Sequence, residues 1–332
     1  MSDIRNSNPG GEDYEPQLSA TSIDAVGLAA GGSAAPLPGE DKSYSQGQLV
    51  ARRFFRHKAA LTSMIVLGIV IIVAFTSIGI GPIPGWWPRG YTLQYDRIGD
   101  GAPNWTYPFG QDTGGKDYFA LVMRGTQFSL IIAFIVGIVS TVVGTLIGAI
   151  AGFYRGWVES ILMRMTDVFI IIPLLAVAAV LGRMAGGAGI WVLALVLGLV
   201  TWTGLARLVR GEVLSLRERD FVLAARAVGT GPWRIITRHV LPNAVGVIIV
   251  SATLSISSAI LLETSLSFLG FGVQAPDTSL GTLINDYQAA FATRPWLFWW
   301  PGLMILTIAL CVNFIGDGLR DAFDPRQNRT KD

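Results

Sequence analysis

Residues 221–242 read FVLAARAVGTGPWRIITRHVLP, a basic, alanine-rich stretch that lies between two long apolar segments. Gly229 is suited to ending a helical turn, and Pro232 is suited to starting the next one. The pattern therefore predicts two short helices joined at an angle. The small side chains of Ala224 and Ala225 would let the backbone of another protein approach closely. We interpret the hairpin as a docking element, and an ordinary connector between two membrane spans is the alternative.

The composition of the chain is that of a membrane protein. Of its 332 residues, 51% are hydrophobic and only 14% are charged, whereas a soluble domain carries roughly a quarter charged residues. The single cysteine, Cys311, excludes a disulfide within the chain. The two histidines and the cysteine lie far apart in the sequence and do not give the spacing of a metal site.

Six segments are long and apolar enough to cross a bilayer as helices, because a crossing needs roughly 20 apolar residues. The second segment contains Gly144 and Gly148, a G-x-x-x-G pair for which we expect helix packing rather than dimerisation. The predicted fold is therefore an all-α bundle of six transmembrane helices. The predicted spans are residues 60–80, 127–150, 165–183, 189–209, 240–262 and 297–316.

The distribution of Lys and Arg predicts how these spans are oriented. With the N-terminus in the cytosol, 19 of the 25 basic residues fall on cytosolic segments and 6 fall on external ones. Both termini are then cytosolic, and so is a loop at residues 210–239 that contains most of the hairpin. Residues 81–126 and 263–296 are the two long external segments.

The predicted membrane domain covers residues 49–326, and the two ends lie outside it. Residues 1–48 hold seven acidic and two basic residues among many Gly, Ser, Ala and Pro, which predicts a disordered cytosolic tail. Residues 327–332 form a short cytosolic tail. The basic cluster at residues 52–58 favours contact with anionic membrane lipids over nucleic-acid binding, because it is short and abuts a span.

A glycine-rich external stretch, residues 107–119, reads YPFGQDTGGKDYF. From Gly110 to Lys116 it matches G-x-x-x-x-G-K, the pattern of a phosphate-binding loop, but Asp117 stands where the Mg²⁺-binding Ser or Thr is required. No apolar strand precedes it. We therefore expect no nucleotide here, and ATP-driven transport would need an ATPase on another chain.

Four motifs, in the same order, resemble those of the C-type permease subunits of dipeptide and oligopeptide ABC importers. Residues 107–119 resemble the signature FGTDxxGRDxFSR, and residues 263–274, ETSLSFLGFGVQ, resemble EasLSFLGLGvqpP. Residues 316–326, GDGLRDAFDPR, resemble the closing GDgLRDaLDPR. The spacing from Gly229 to Pro242 is similar to that of the EAA loop, which in these importers plugs into a groove of the ATPase. The resemblance spans nearly all of the predicted membrane domain.

The resemblance implies a type I ABC importer permease fold in the bacterial cytoplasmic membrane, in a non-catalytic subunit that moves peptides by alternating access. It also implies a second, B-type permease chain, two ABC ATPase subunits that bind ATP and Mg²⁺, an extracytoplasmic substrate-binding protein and a peptide substrate. No cofactor is expected in this chain. Ala224 stands where many members carry Glu, and His239 where many carry Ile. The residues expected to couple to the ATPase are Ala224, Ala225, Gly229, His239, Leu241 and Pro242.

The first external segment supplies a second set of candidate residues. Asp112, Lys116 and Asp117 place charges on a glycine-rich loop. These charges either brace the loop or contact a docking protein, and bracing is the interpretation that we favour slightly.

The second external segment begins with compact, irregular backbone. Phe268, Gly270 and Gly272 follow the fifth span, and irregular backbone near a membrane surface must be buried in protein. We therefore expect them to cap or line the pore mouth. Glu263 lies near the boundary of the same span, where it is either a solvated acid or part of a pathway.

Charged residues near the cytosolic side form a last group. Asp317, Arg320 and Asp321 belong to the closing motif and either brace the cytosolic end or contact the ATPase. Arg164 and Asp167 are three residues apart, which places both on one helix face, and we expect them to form a structural ion pair.

Three other functions are alternatives to a peptide permease. A nickel-importing or antimicrobial-peptide-importing relative in the same ABC family would share these motifs. A self-sufficient secondary transporter would need ionisable residues at mid-membrane for ion coupling, and the predicted spans are nearly devoid of them. A membrane enzyme ranks last, because the sequence offers no nucleophile–base pair, paired buried carboxylates or metal cluster.

Overall fold

The computed structural model describes residues 46–185 and 189–324, which fold into α-helices and one short β-hairpin. The C-terminal tail expected at residues 327–332 lies outside the described residues, as does most of the N-terminal tail. The elements in chain order are α1 (Gln46–Phe54), α2 (Lys58–Ser77), β1 (Gly79–Ile80), β2 (Ile83–Pro84), α3 (Tyr118–Tyr154), α4 (Gly156–Ile171), α5 (Leu174–Ala185), α6 (Ile190–Thr201), α7 (Thr203–Leu216), α8 (Asp220–Ala227), α9 (Pro232–Ile235), a π-helix (Ile236–Val240), α10 (Leu241–Phe268), α11 (Leu280–Tyr287), a 3-10 helix (Gln288–Ala290) and α12 (Trp296–Phe323).

Four helical segments among the described residues are long and apolar enough to cross a membrane. Two further pairs of helices pass the same test together but are bent, α4 with α5 by 85° and α6 with α7 by 45°. Counting each pair as one span gives six. Pro173 accounts for the first bend, because it has no backbone N–H and its ring clashes with the preceding turn. The second bend falls at Trp202.

Helix α3 is the central element and has 37 residues, a length of roughly 55 Å at the helical rise of about 1.5 Å per residue. Three of its glycines face α7. A Cβ atom at Gly144 would lie 2.7 Å from Leu205 Cδ2, one at Gly148 would lie 2.5 Å from the Ala206 carbonyl oxygen, and one at Gly152 would meet the Arg210 carbonyl oxygen at 2.8 Å. The G-x-x-x-G pair is thus a packing face within the chain, as predicted.

The ends of α3 define two ends of the described structure. Tyr118 begins the helix beside the loop of residues 85–117, which we call the loop end. At the other end, Phe153 in the last turn of α3 contacts Arg217, which follows α7, and Arg226 of α8. We call this end of the structure the hairpin end. A large hydrophobic core fills the space around α3, α6, α10 and α12, and a smaller one lies at the hairpin end.

The observed helices differ from the predicted spans mainly at their ends. Helix α3 begins at Tyr118, nine residues before the predicted window, and α4 begins at Gly156 rather than at residue 165. Helix α7 continues to Leu216, so the connecting loop starts later than residue 210. Helix α1 includes residues 46–48, which were expected to be disordered. These helices continue into polar and glycine-containing segments, because packing against other helices outweighs the weak apolar character of those segments.

Candidate functional site

Helices α8 and α9 form the hairpin that the opening stretch predicted, and Gly229 makes the turn between them. The N–H of Thr230 donates to the Ala225 carbonyl at 3.0 Å, and the N–H of Gly229 donates to the Arg226 carbonyl at 2.9 Å. This pair of bonds is a Schellman motif, which ends a helix with a left-handed residue. Gly229 has φ +77°, and the space where its side chain would be is open.

One face of this hairpin is buried. Val222 and Ala225 belong to the hydrophobic core at the hairpin end, together with Phe153 of α3 and Val213 of α7. Ala225 is therefore not free to contact a partner, contrary to the prediction. Adjacent residues on a helix point about 100° apart, so only Ala224 of this pair is exposed.

The other face of the hairpin exposes an apolar surface, which we call the hairpin ridge. Val228 is 81% exposed, and Trp233 is 56% exposed. The residues of the ridge are Phe221, Leu223, Ala224, Val228 and Trp233. The remaining residues expected to couple to the ATPase lie beyond it, with His239 half-buried in the π-helix and Leu241 and Pro242 in the first turn of α10.

Two arginines connect the hairpin to the end of α3. The Arg226 guanidinium lies 4.9 Å from the centre of the Phe153 ring, and Arg217 Nη1 donates to the Phe153 carbonyl at 2.6 Å. Glu218 pairs with both Arg217 and Arg155 at 3.3 Å. Desolvation and the neighbouring positive charges of Arg155 and Arg226 lower the pKa of Arg217. The network joins α3, α7 and α8 at one point.

Asp112 braces the loop end from within. Its Oδ1 accepts the N–H groups of Gly114 at 2.8 Å and Lys116 at 2.7 Å, and its Oδ2 accepts the hydroxyl of Tyr287 at 2.8 Å. Arg294 donates to the carbonyl of Asp112 at 3.2 Å. The backbone N–H groups that a phosphate-binding loop would offer to an anion are thus used by the carboxylate of the loop itself.

Asp117 is also fully buried and caps α3. Its carboxylate accepts the N–H of Ala120 and the indole N–H of Trp87, both at 3.1 Å. Burial raises its pKa, although both hydrogen bonds oppose that shift. Lys116 lies between these two acids in the sequence and is half-buried. Burial raises the pKa of Asp286 in α11, and the positive charge of Lys116 opposes that rise. For both aspartates the geometry matches the bracing interpretation.

The segment after α10 turns sharply at a second Schellman motif. The N–H of Gly270, at φ +82°, donates to the Ser267 carbonyl at 3.0 Å, and the N–H of Phe271 donates to the Leu266 carbonyl at 2.9 Å. Gly272 is buried, and a Cβ atom there would lie 2.0 Å from Ser267 Oγ. Phe268 is 39% exposed at the end of the helix.

Glu263 is completely buried, so it is not the solvated acid that one interpretation expected. Its Oε2 accepts the Ser129 hydroxyl at 2.9 Å, and its Oε1 accepts the Ser267 hydroxyl at 2.7 Å. Ser129 Oγ in turn accepts the N–H of Leu280 at 3.3 Å. The carboxyl group therefore ties α10 to α3 and to the start of α11.

The closing motif lies at the hairpin end, beside the N-terminal helices. Asp321 Oδ2 is 3.5 Å from His57 Nε2, while the other ring nitrogen of His57 accepts the N–H of Ala60 and caps α2. Asp317 and Arg320 are exposed on α12. Asp321 thus contributes to bracing.

Helices α4 and α7 are joined by two ion pairs, and neither is the pair that the sequence predicted. Asp167 pairs with Arg207 of α7 at 2.5 Å rather than with Arg164. Glu159 accepts from Arg210 Nε at 2.7 Å and also from its Nη2. Arg164 is exposed. The prediction failed because α7, 40 residues away in sequence, packs against α4 and offers a nearer partner.

Comparison with known proteins identifies the family of this chain. A family model described as "Binding-protein-dependent transport system inner membrane component" matches residues 144–329, more than half of the chain. The chain belongs to this family. A second model, described as the N-terminal TM domain of oligopeptide transport permease C, matches residues 45–100. Together with the apolar helices, the family makes the chain a multi-pass membrane protein with the type I ABC importer permease fold.

Curated relatives align with most of this chain. An oligopeptide transport system permease protein OppC of Mycobacterium tuberculosis (strain ATCC 25618 / H37Rv) is 39% identical over 285 residues, 85% of this chain and 95% of the relative. OppC of Haemophilus influenzae is 36% identical over 277 residues, 83% of this chain and 87% of the relative. A chain of the inward-facing MetNI methionine ABC transporter has a TM-score of 0.49 at 19% identity, covering 61% of this chain and 97% of that chain.

Proposed function

We propose that this chain is a permease subunit of an ATP-driven ABC importer that carries dipeptides or oligopeptides across the bacterial cytoplasmic membrane. The relatives named as oligopeptide permeases support the cargo class, because they align along nearly their whole length at 36–39% identity. The subunit itself is not an enzyme in this proposal. ATP and Mg²⁺ are bound by two separate ATPase chains, and a second, B-type permease completes the passage.

The observation that carries the proposal is the hairpin ridge. A two-helix hairpin that buries one face in its own chain and exposes Val228 and Trp233 on the other leaves apolar surface without a partner among the described residues. Exposed apolar clusters rimmed by polar residues mark sites of protein association. The excess of Lys and Arg on this side of the molecule favours a cytosolic location, where an ATPase would be available.

In this proposal ATP binding draws the two ATPases together, and each moves the hairpin docked on it. Arg226, Arg217 and Phe153 then pass the motion to α3, which packs along α6, α7 and α10. The passage between the two permeases opens toward the external face, where a substrate-binding protein delivers the peptide. Hydrolysis resets the passage to the cytosolic face.

Purification of the chain from its native membrane in mild detergent tests the assembly. Mass spectrometry should recover a second six-span permease and two ATPases, and vesicles that contain the complex should take up peptides only with ATP. Recovery of the chain alone, with solute movement that needs no ATP, would contradict the proposal.

The hairpin ridge can be tested separately with one substitution and a matched control. Val228→Asp should lower ATPase recovery at least about tenfold, because an unpaired carboxylate buried at an interface costs about 2 kcal/mol or more. Ile83→Asp makes the same kind of change at a position that is 67% exposed at the loop end, and it should leave ATPase recovery unchanged. Equal recovery with both variants would show that the ridge is not the docking site.

A further inference from the structure

The two broken spans open onto one concavity of about 540 Å³. The break between α4 and α5 contributes Ile172 and Pro173, and the break between α6 and α7 contributes Thr201 and Thr203. Interrupted helices in a membrane are tolerated where their backbone is buried in protein or lines a cavity, and in transporters they mark binding sites. The shared position of both breaks therefore makes this concavity a candidate binding site.

Helix α10 lines the concavity with a row of hydroxyl groups. Ser251, Ser255 and Ser258 are spaced four and three residues apart, so they lie on one helix face. The Ser255 hydroxyl donates to the Ser251 carbonyl at 2.8 Å. Within the described structure, the hydroxyls of Ser251 and Ser258 have no hydrogen-bond partner, and neither residue is buried. Two free hydroxyls are therefore available near the middle of a membrane span.

The break at Pro173 adds free backbone groups. Proline has no N–H to donate to the carbonyl of Phe169, which is left without its helical partner. The first hydrogen bonds of α5 are donated by Ala176 and Val177 to the Pro173 carbonyl, at 3.0 and 3.2 Å. The N–H groups of the two residues before them are consequently unpaired by the helix. The break thus offers both a hydrogen-bond acceptor and donors.

None of the described residues that line the concavity is charged, and most are apolar. Phe169, Leu208, Leu254 and Leu262 form its walls beside the hydroxyl row. Uncharged donors and acceptors within apolar walls match the main chain of an extended peptide, which carries one N–H and one C=O per residue. Apolar walls without charges also accept varied side chains without selecting one of them.

We propose that this concavity is a cargo site, in which Ser251, Ser258 and the α4–α5 break hydrogen-bond the main chain of an extended peptide as it passes through the membrane. The inference rests on the proposed function and adds the residues of this chain that contact the cargo. It assigns the concavity to the peptide rather than to lipid, because lipid tails would leave the hydroxyls and backbone groups unpaired.

Cysteine labelling in the reconstituted complex with its partner chains tests this assignment. Cys311 is the chain's natural cysteine and lies away from the concavity, so Cys311→Ala provides the background. Ser258→Cys and Ser251→Cys are then introduced one at a time. Ser265→Cys is the matched control, since Ser265 is an exposed serine on the same helix outside the concavity. The probe is a charged methanethiosulfonate that reacts only with water-accessible thiols.

The peptide used is a tryptic digest of casein, delivered by the binding protein and compared with free amino acids of the same composition. Reaction at Ser258→Cys and Ser251→Cys should slow about tenfold when the digest is about ten times above its half-saturating concentration. Free amino acids should not slow it, and Ser265→Cys should not respond to the digest.

Two results would overturn the assignment. Absence of labelling at both cysteines would show that lipid or the second permease covers the concavity. Labelling that the digest does not slow, in vesicles that still take up peptides with ATP, would place the cargo elsewhere. If the unsubstituted complex assembles but takes up no peptide from the digest, the proposed function fails, and the cargo site fails with it.

Discussion

At the scale of single residues, three buried carboxylates accept hydrogen bonds that hold the backbone in place. Asp112 organises the loop of residues 110–116, Asp117 caps α3, and Glu263 joins two helices through serine hydroxyls. Their partners are N–H or O–H donors within the described residues, which satisfies the oxygens without an opposing charge. The motifs at residues 107–119 and 263–274 therefore have a structural explanation at these positions.

Removal of the Asp117 carboxylate should destabilise the chain. Asp117→Ala should lower the free energy of unfolding by about 2 kcal/mol or more, because the α3 cap is lost and the indole N–H of Trp87 is left unpaired. Asp117→Asn keeps an acceptor for the helix and should cost less than half as much. Thermal unfolding of the purified chain in detergent measures both. Equal losses would contradict the cap assignment.

Asp117 also predicts a dependence on pH. Burial raises its pKa above the ordinary value of 3.8, so the folded chain binds this proton more tightly than the unfolded chain does. The contribution of Asp117 to the free energy of unfolding therefore falls as the pH rises from 3.8 through the raised pKa. Asp117→Asn should remove this slope, and an unchanged slope would assign it to another group.

The turn of the hairpin predicts a contrast between two glycines. Gly229 has φ +77°, whereas Gly231 has φ −64°, and neither has an atom near the position of a Cβ. Gly229→Ala should lower the free energy of unfolding by about 1 kcal/mol through backbone strain, while Gly231→Ala should be neutral or slightly stabilising. Thermal unfolding of both variants tests the difference, and equal effects would argue against the left-handed turn.

At the scale of elements, pairing between helices decides contacts that local spacing does not. Helix α4 is held to α7 by Asp167–Arg207 and Glu159–Arg210. Helix α11, which the sequence analysis missed, has apolar residues at positions 280, 283, 284 and 287 and a Ser279 cap. That spacing is helical, but eight residues are too few to distinguish from a loop by pattern alone.

A double-mutant cycle distinguishes the observed ion pair from the predicted one. Asp167 and Arg207 are each nearly half exposed, so their coupling should be about 0.3–1 kcal/mol, measured with Asp167→Asn and Arg207→Gln by thermal unfolding. The same cycle with Arg164→Gln should give no coupling. Coupling to Arg164 instead of Arg207 would restore the local pair that the sequence suggested.

At the scale of the whole molecule, the hairpin contacts the membrane helices through its buried face and through two arginines at the end of α3. Arg226 of α8 stacks on Phe153, whose carbonyl accepts from Arg217. Because Phe153 lies in the last turn of α3, and α3 packs along α6, α7 and α10, we expect a displacement at the hairpin to reach the helices that line the concavity. Close-packed interiors transmit such displacements because they have few voids.

Loss of that contact should uncouple hydrolysis from transport in the proposed complex. Arg226→Ala should raise the ATP hydrolysed per peptide transported about threefold to tenfold, the factor that matches a lost cation–π contact of about 0.6–1.4 kcal/mol. Arg234→Ala, at an exposed arginine on α9, should leave the ratio unchanged. Reconstituted vesicles measure both quantities, and a normal ratio for Arg226→Ala would rule out this route.

The amino-acid sequence by itself determined the class of the protein, the number of apolar segments, the hairpin and its turn at Gly229. These features follow from the length of the apolar segments, from a glycine at a left-handed turn and from the distribution of Lys and Arg. All three are local properties, and they do not depend on which distant segment packs against them. Only the tertiary structure decided that Ala225 is buried, that Asp167 pairs with Arg207 and that Glu263 is enclosed by serines. Each of these depends on a helix that is distant in sequence, so packing alone selects the partner.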